Sequence, residues 1–153
     1  MIGDARRYIE RAAAADLDDV LRLLDETHLP VDGLREHFGT ALVARENGSV
    51  VGSAALEVYA DGALLRSVAV SPPAQGSGLG GALTNAAIRL AEELRLPALY
   101  LLTTTADGYF PRFGFERITR ADVPARVQRS VEFTSACPSS AIVMRKTLDR
   151  ASI

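Results

Sequence analysis

The sequence predicts an α/β domain, in the α+β sense, built on one mixed sheet of about seven strands with about four or five helices. Three observations carry that prediction. Two turn dipeptides, Asn47-Gly48 and Asp61-Gly62, separate three apolar runs and mark an antiparallel meander, because these residue types tolerate positive φ. The third run is followed by a glycine-rich stretch, a long helical pattern and another apolar run, a crossover that implies a parallel neighbour. The chain has 153 residues, 48% apolar and 24% charged, a length and composition that suit a single folded domain over the whole chain.

In order, residues 7–12 read as a first strand. Asp16 is placed to cap a helix with Asp18 and Asp19 in its first turn and Leu17, Val20, Leu21 and Leu24 at helical spacing, ending near Thr27. A shorter helical piece over 34–38 stops at Gly39. Runs 40–46 and 49–59 pair across Asn47-Gly48, and 63–71 pairs back on the second of them. With Asp61-Gly62 as a two-residue loop, Ala60 faces Ala63 and the register sets Glu57 opposite Arg66. Leu79, Leu83, Ala86, Ala87, Leu90 and Leu94 share one stripe of a long helix that Pro97 ends. Residues 98–103 suit a buried central strand parallel to 63–71. A short helix over 106–113 stopped by Gly114, a strand at 115–118, a helix over 124–135 and a last strand at 141–148 complete the series.

Composition excludes several classes of partner. Seventeen Lys and Arg against 19 Asp and Glu give a formal charge of -2, so no positive excess is available to release counterions from nucleic acid. Cys137 is the only cysteine, which rules out an intrachain disulfide, and no run approaches the roughly 18 apolar residues that span a bilayer. Arg6-Arg7 is followed by Tyr8, Ile9, Glu10 and Arg11 rather than by an apolar export segment, so a cytoplasmic location is expected. His28 and His37 do not have a metal-ligand spacing, and no metal is expected.

The sharpest local feature is residues 71–81 (SPPAQGSGLGG), between a strand and the start of a long helix. Glycines let successive N–H groups point inward without side chains in the way, and the helix dipole adds attraction for negative charge. The loop lacks the Gly-Lys-Ser/Thr ending of a triphosphate-binding P-loop. Gly76, Gly78 and Gly81 match the G-x-G-x-x-G spacing, but the next parallel strand ends in Thr103, Thr104 and Thr105, with no acidic residue for a dinucleotide's ribose.

Gln75-x-x-Gly78-x-Gly80, preceded by residues 65–70 (LRSVAV), resembles the acetyl-coenzyme A pyrophosphate loop and strand of the GNAT N-acetyltransferases. Residues 110–115 (FPRFGF) resemble that family's later aromatic-to-Gly-Phe segment, and the element order is similar along the whole chain. The resemblance implies the GNAT fold, splayed between the fourth and fifth strands, with acetyl-coenzyme A as co-substrate and its pantetheine arm in the gap. The residues it assigns to that co-substrate are Val68, Ala69 and Val70 on the strand, Gln75, Gly76, Ser77, Gly78, Leu79, Gly80 and Gly81 on the loop, and Phe110. Within the family, residues 64–70, 101–106 and 131–140 resemble N-acetyltransferases associated with arsenic-resistance operons, while 52–56 and 102–104 resemble glutamate-type amino-acid N-acetyltransferases. Both imply a small-molecule amine as acceptor, and the family resemblance also suggests a homodimer formed through late strands.

Acetyl transfer from a thioester needs a neutral amine, a donor for the carbonyl oxygen and a proton for the leaving thiolate. Glu57 is the candidate base, as the single carboxylate on a strand of small and apolar residues, and an ordinary ion pair with Arg66 is the competing explanation. Arg66 is also a candidate to receive a substrate carboxylate. Many GNAT enzymes carry a tyrosine acid four residues before the Gly of the Gly-Phe pair. That position is Phe110 here, and Tyr109, one residue earlier, is the candidate acid, about 100° around the helix, an angle that turns it to the core or solvent rather than to the thiolate. Thr103, Thr104 and Thr105 are candidate substrate contacts at the carboxyl end of the central strand, with β-propensity and helix capping as the alternative. Arg126, Arg129 and Ser130 either close over an anionic substrate or form a solvated helix face, and Cys137 reads as a small core residue. The expected function is acetyl-coenzyme A dependent N-acetylation of a small amine, an amino acid or amino-acid-like arsenical. A non-catalytic acyl-coenzyme A sensor and a protein acetyltransferase are the alternatives.

Overall fold

The computed structural model describes residues 6–148. Seven strands form one sheet: β1 (Arg7–Arg11), β2 (Ala41–Glu46), β3 (Ser49–Tyr59), β4 (Gly62–Val70), β5 (Ala98–Thr103), β6 (Glu116–Ile118) and β7 (Ile142–Thr147), in the order β1-β2-β3-β4-β5-β7-β6. The pairing of β4 with β5 is parallel and every other pairing is antiparallel, so the sheet is mixed, as the crossover predicts. Two α-helices cover it, α1 (Leu17–Glu26) and α2 (Leu79–Glu93), and the remaining helical segments are short 3-10 or π-type turns.

Opposite faces of the sheet hold separate parts of the core. Leu79, Leu83, Ala87 and Leu90 of α2 pack on Leu42, Leu56, Leu65 and Leu99. On the other face, Val20 and Leu24 of α1 pack with Phe38, Val43, Ala55 and Ala69, and farther along Val123 and Val127 cover Leu64, Tyr100 and Val143. Arg66 and Glu57 are buried polar residues of this second face.

The second hairpin differs from the expected register. Tyr59 pairs with Gly62 and Glu57 with Leu64, so Ala60 and Asp61 form the loop and Arg66 sits opposite Ala55. Gly62 is the first residue of β4, and a Cβ there would lie 2.9 Å from the Tyr100 ring, which is why the position takes glycine. The offset is two residues, which preserves the face of every side chain, so Arg66 remains a diagonal neighbour of Glu57. Nearer the far end of β4 the register shifts between Ser53 and Ala55, Ser67 takes φ 60, and its carbonyl accepts a 2.7 Å hydrogen bond from Ser53 Oγ. This irregularity lies in the part of β4 that has no partner on β5.

Other differences are local. Asp16 stands at the N-cap position of α1, as expected, but its side chain caps no amide of that helix: the carboxylate accepts the Ala13 N–H of the preceding turn and pairs with Arg45. Leu94 is exposed because α2 ends at Glu93, where Arg95 takes φ 59 and Leu96 N–H bonds back to Ala91, a reversal that stops the helix before Pro97. The helix expected over 124–135 is replaced by a 3-10 turn, Val127–Arg129, and a π-type turn, Glu132–Ala136. No helix among the described residues is long and apolar enough to cross a membrane.

Candidate active site

The parallel pairing of β4 with β5 consists of Ala63 with Leu99 and Leu64 with Tyr100. Beyond these pairs the strands part, and a cleft of about 740 Å³ opens between residues 65–70 of β4 and residues 101–103 of β5. Its one end is walled by Gln75, Gly80, Tyr109 and Phe110, and the other by Arg66, the 27–32 segment, Glu132 and Cys137.

At the first end the wall is backbone. Gly76 and Gly78 take φ 82 and 84, and a Cβ added at either would meet no atom within 4 Å. The N–H groups of Gly76, Gly78, Leu79, Gly80 and Gly81 find no protein acceptor among the described residues; the first α2 bond across this boundary runs from Ala82 N–H to Gly78. A row of free amides at the start of a 15-residue helix, with open space in front, fits a diphosphate group. The side chain of Gln75 turns back, its Nε2 donating to the Val70 carbonyl at 3.0 Å, while Ser77 Oγ donates to the Ala74 carbonyl at 2.6 Å. Both side chains thus brace the loop and leave its amides outward.

Tyr109 lines the cleft, contrary to the helical-angle expectation, because residues 106–109 form a turn and only Phe110–Phe113 is helical, as a 3-10 segment. Tyr109 and Phe110 therefore both face the opening. The Tyr109 hydroxyl lies within 3.6 Å of where a Cβ on Gly80 or Gly81 would stand, and its ring carries the Arg112 guanidinium at 4.5 Å. Phe110 is buried among Tyr109, Phe113 and Phe115.

At the second end the wall is charged. The Arg66 side chain is wholly buried, and its Nη1 donates to Glu57 Oε2 at 2.7 Å and to the Asp32 carbonyl at 2.6 Å. Nη2 donates to the Pro30 carbonyl at 3.1 Å, and Nε donates to Ser67 Oγ at 3.1 Å with Glu132 Oε2 3.2 Å away. One guanidinium thus joins β3, β4, the 30–32 segment and the late π-type turn. Most of its donors are engaged within the protein, which leaves one Nη2 hydrogen for any ligand.

Glu57 is fully buried and is not among the residues that line the cleft. Its second oxygen accepts the Tyr59 hydroxyl at 2.6 Å, with His37 Nε2 at 3.6 Å. Burial and the Glu57 carboxylate push the Tyr59 phenol well above its ordinary range. Glu132, which sequence reasoning did not single out, does line the cleft, and burial pushes its carboxyl up to about 7 against the pull of Arg66. Burial also pushes the neighbouring Cys137 thiol up to about 12, with the Glu132 carboxylate acting in the same direction, so this thiol stays protonated. It forms part of the cleft wall rather than of the core.

The three threonines reach the cleft. Thr103 Oγ1 accepts the N–H groups of Thr105 and Ala106 at 3.3 and 2.8 Å, whereas Thr104 and Thr105 are exposed there. Arg126 and Arg129 are exposed on the 3-10 turn, Ser130 is buried, and none of them lines the cleft. The signal that pointed toward Glu132 was the distinctive stretch 131–140; reading that region as a regular helix with a solvated face hid the carboxylate.

A mixed sheet split between two parallel strands, with free amides at a strand-to-helix junction beside the split, defines an acyl-coenzyme A transferase architecture. The chain belongs to the acetyltransferase (GNAT) family, whose match covers residues 6–115. It is a GNAT N-acetyltransferase, an enzyme class that uses acetyl-coenzyme A as acyl donor. The amino-acid acetyltransferase of Mycobacterium tuberculosis is 30% identical, over 95% of this chain and 86% of that protein. The amino-acid acetyltransferase of Neisseria meningitidis is 26% identical over 90% of this chain, which spans only 33% of that longer protein. Among solved structures, Rv2747 from Mycobacterium tuberculosis, in complex with CoA and NLQ, superposes with a TM-score of 0.79 at 28% identity, covering 93% of this chain and 99% of that one. The N-acetylglutamate synthase of Neisseria gonorrhoeae shares the fold, with a TM-score of 0.81 at 23% identity over 97% of this chain and 36% of its own.

Proposed function

We propose that the protein transfers the acetyl group of acetyl-coenzyme A directly to the amine of a small amino acid. The observation that carries this reading is the two-ended cleft, with free amides for a diphosphate at one end and an enclosed charged pocket at the other. The amino-acid acetyltransferases to which the chain is similar support it.

In this reading the amides of residues 76–81 hold the diphosphate, with Gln75 bracing the loop. The backbone of Val68, Ala69 and Val70, unpaired on the β5 side, receives the pantetheine arm, and the Val68 N–H polarises the thioester carbonyl. Phe110 and Tyr109 wall the far side, and the Tyr109 hydroxyl is available to return a proton to the departing thiolate. The acceptor's carboxylate meets the remaining Arg66 hydrogen and the hydroxyls of Thr104 and Thr105, while Thr103 holds their turn in place. Glu57 fixes Arg66.

Arg66 is set against the carboxylates of Glu57 and Glu132, and the Asp32 carboxylate adds its field at Glu132, so the acceptor end carries net negative charge. Acceptors with one carboxylate and an uncharged side chain are favoured over glutamate or aspartate. An amino-acid-like arsenical meets the same requirement and is the finer acceptor suggested by sequence resemblance. Cytoplasmic location and a homodimer belong to the same reading, the latter read by sedimentation.

The test is thiol release from acetyl-coenzyme A across a panel of amino acids, an arsenical analogue and lysine-bearing peptides. Turnover confined to small amino acids or the analogue is expected. Turnover on peptides alone, or tight coenzyme A binding with no turnover on any amine, overturns the proposal.

A further inference from the structure

Two carboxylates approach the single buried guanidinium, and they are satisfied very differently. Both Glu57 oxygens have strong donors, Tyr59 Oη at 2.6 Å and Arg66 Nη1 at 2.7 Å. Glu132, only 4% exposed, has weak ones: Oε1 accepts the Cys137 thiol at 3.8 Å, and Oε2 lies 3.2 Å from Arg66 Nε, whose hydrogen bond goes to Ser67 Oγ. Glu132 also lines the cleft, and Glu57 does not. The less satisfied carboxylate is therefore the one that faces the ligand space.

From this geometry we infer that Glu132 is the general base, taking the proton from the acceptor's ammonium group at the Arg66 end of the cleft. The inference rests on the proposed acetylation of an amino acid and adds a residue to it. Glu132 opens the π-type turn Glu132–Ala136, closed by the 3.1 Å bond from Cys137 N–H to the Glu132 carbonyl, a backbone form often found at functional sites.

The proton and electron pairs balance as follows. The ammonium N–H bond breaks and its proton passes to a Glu132 oxygen. The freed nitrogen lone pair forms the new bond to the acetyl carbon, and the carbon–sulfur bond breaks with its electrons on sulfur. The nitrogen's second proton goes to that sulfur, giving amide and thiol, and Glu132 returns its proton to solvent.

Its environment suits that task. A carboxylate whose hold on a proton has been raised by burial takes the acceptor's ammonium proton at a smaller uphill cost than an ordinary glutamate would. The charged and titratable groups that face Glu132 are Arg66 on β4, Glu57 on β3, Asp32 in the 30–32 segment and Cys137 on its own turn. Arg66 and, more weakly, the Cys137 thiol that donates to Oε1 favour the ionised form, whereas burial and the Glu57 and Asp32 carboxylates oppose it.

The experiment compares wild type, Glu132→Gln and Glu132→Asp. For Glu132→Gln, kcat/KM for the best acceptor is expected to fall about 100-fold, with loss of the acid limb of the pH profile near 7, while coenzyme A affinity by calorimetry stays within about twofold. Glu132→Asp, which keeps the carboxylate, should restore part of the rate and retain an acid limb. A carbon-13 titration of glutamate-labelled free protein supplies a readout independent of turnover: one side-chain signal titrating near 7 in wild type and missing from Glu132→Gln. Wild-type rate with an unchanged acid limb in Glu132→Gln, or loss of that limb in Glu57→Gln instead, overturns the assignment. Absence of wild-type turnover on any amine is a separate failure, that of the function itself.

Discussion

The cleft joins two ends made of different materials. At the loop end, main-chain amides from residues 76–81 are left without protein acceptors, their direction set by two glycines at positive φ. At the Arg66 end, side chains from β3, β4 and the late π-type turn, together with the main-chain carbonyls of Pro30 and Asp32, gather around one guanidinium with 0% side-chain exposure. The first end depends on local conformation and tolerates change in most side chains. The second depends on long-range packing, and each charge there depends on the others remaining. A substitution should therefore act on ligand affinity at one end and on folding as much as on chemistry at the other.

The largest expected separation comes from Arg66→Met. Removing the guanidinium strands Glu57 and Glu132 and leaves the Pro30 and Asp32 carbonyls without their donor. Loss of one partner from a buried ion pair costs about 3 to 5 kcal/mol, and chemical denaturation should show a destabilisation of that size. A fall below about 1 kcal/mol would mean that the hub contributes no more than a surface pair.

Next is the pH dependence of folding. The Glu132 carboxyl is raised from 4.5 to about 7 in the folded protein, so it binds a proton more tightly there than in the unfolded chain. Its contribution to stability is fully present below pH 4.5 and is lost as pH rises through about 7. Between those limits wild type should lose up to about 3 kcal/mol relative to Glu132→Gln. Parallel stability curves for the two proteins would show that Glu132 is not held in the form that its surroundings impose.

The opposite end is probed by Gly78→Val. At φ 84, with no protein atom within 4 Å of the new Cβ, the variant strains the loop and places a branched side chain in the ligand space without disturbing the core. Coenzyme A affinity should fall about 100-fold, the loss of one or two charge-assisted hydrogen bonds, with little change in melting temperature. A large thermal shift with intact affinity would reverse the contrast between the ends.

The same contrast governs what the sequence makes legible. The loop can be read directly, because positive-φ glycines and a helix start are properties of neighbouring residues. The meander and crossover are equally local, and they give the β2-β3-β4-β5 part of the sheet order, while the places of β1, β6 and β7 depend on long-range pairing. Arg66 and Glu57 are legible as a pair because a strand's period of two places both on one face even when the register is off by two. Glu132 is not legible: its place in the cleft depends on a π-type turn where helical periodicity suggests a regular helix, and on 66 residues of separation from its partner Arg66. Tyr109 is misread for a related reason, since the 100° step holds only within an α-helix.

Tyr109 brings a side chain to the loop end of the cleft, and the smallest effect is expected there. Its hydroxyl stands beside the first turn of α2, within 3.6 Å of the Cβ positions of Gly80 and Gly81, while its ring is held by Phe110, Phe113 and Arg112. Tyr109→Phe keeps the ring and its packing and removes only the proton. A thiolate with a reference value near 8.5 leaves with modest help, so kcat should drop by about tenfold or less, with coenzyme A affinity nearly unchanged. If the rate falls about 1,000-fold instead, protonation of sulfur limits the reaction and the hydroxyl is an essential acid. If affinity falls while kcat holds, the hydroxyl serves the diphosphate end as one more donor beside the free amides, and the division between a backbone end and a side-chain end has to be moved to include it.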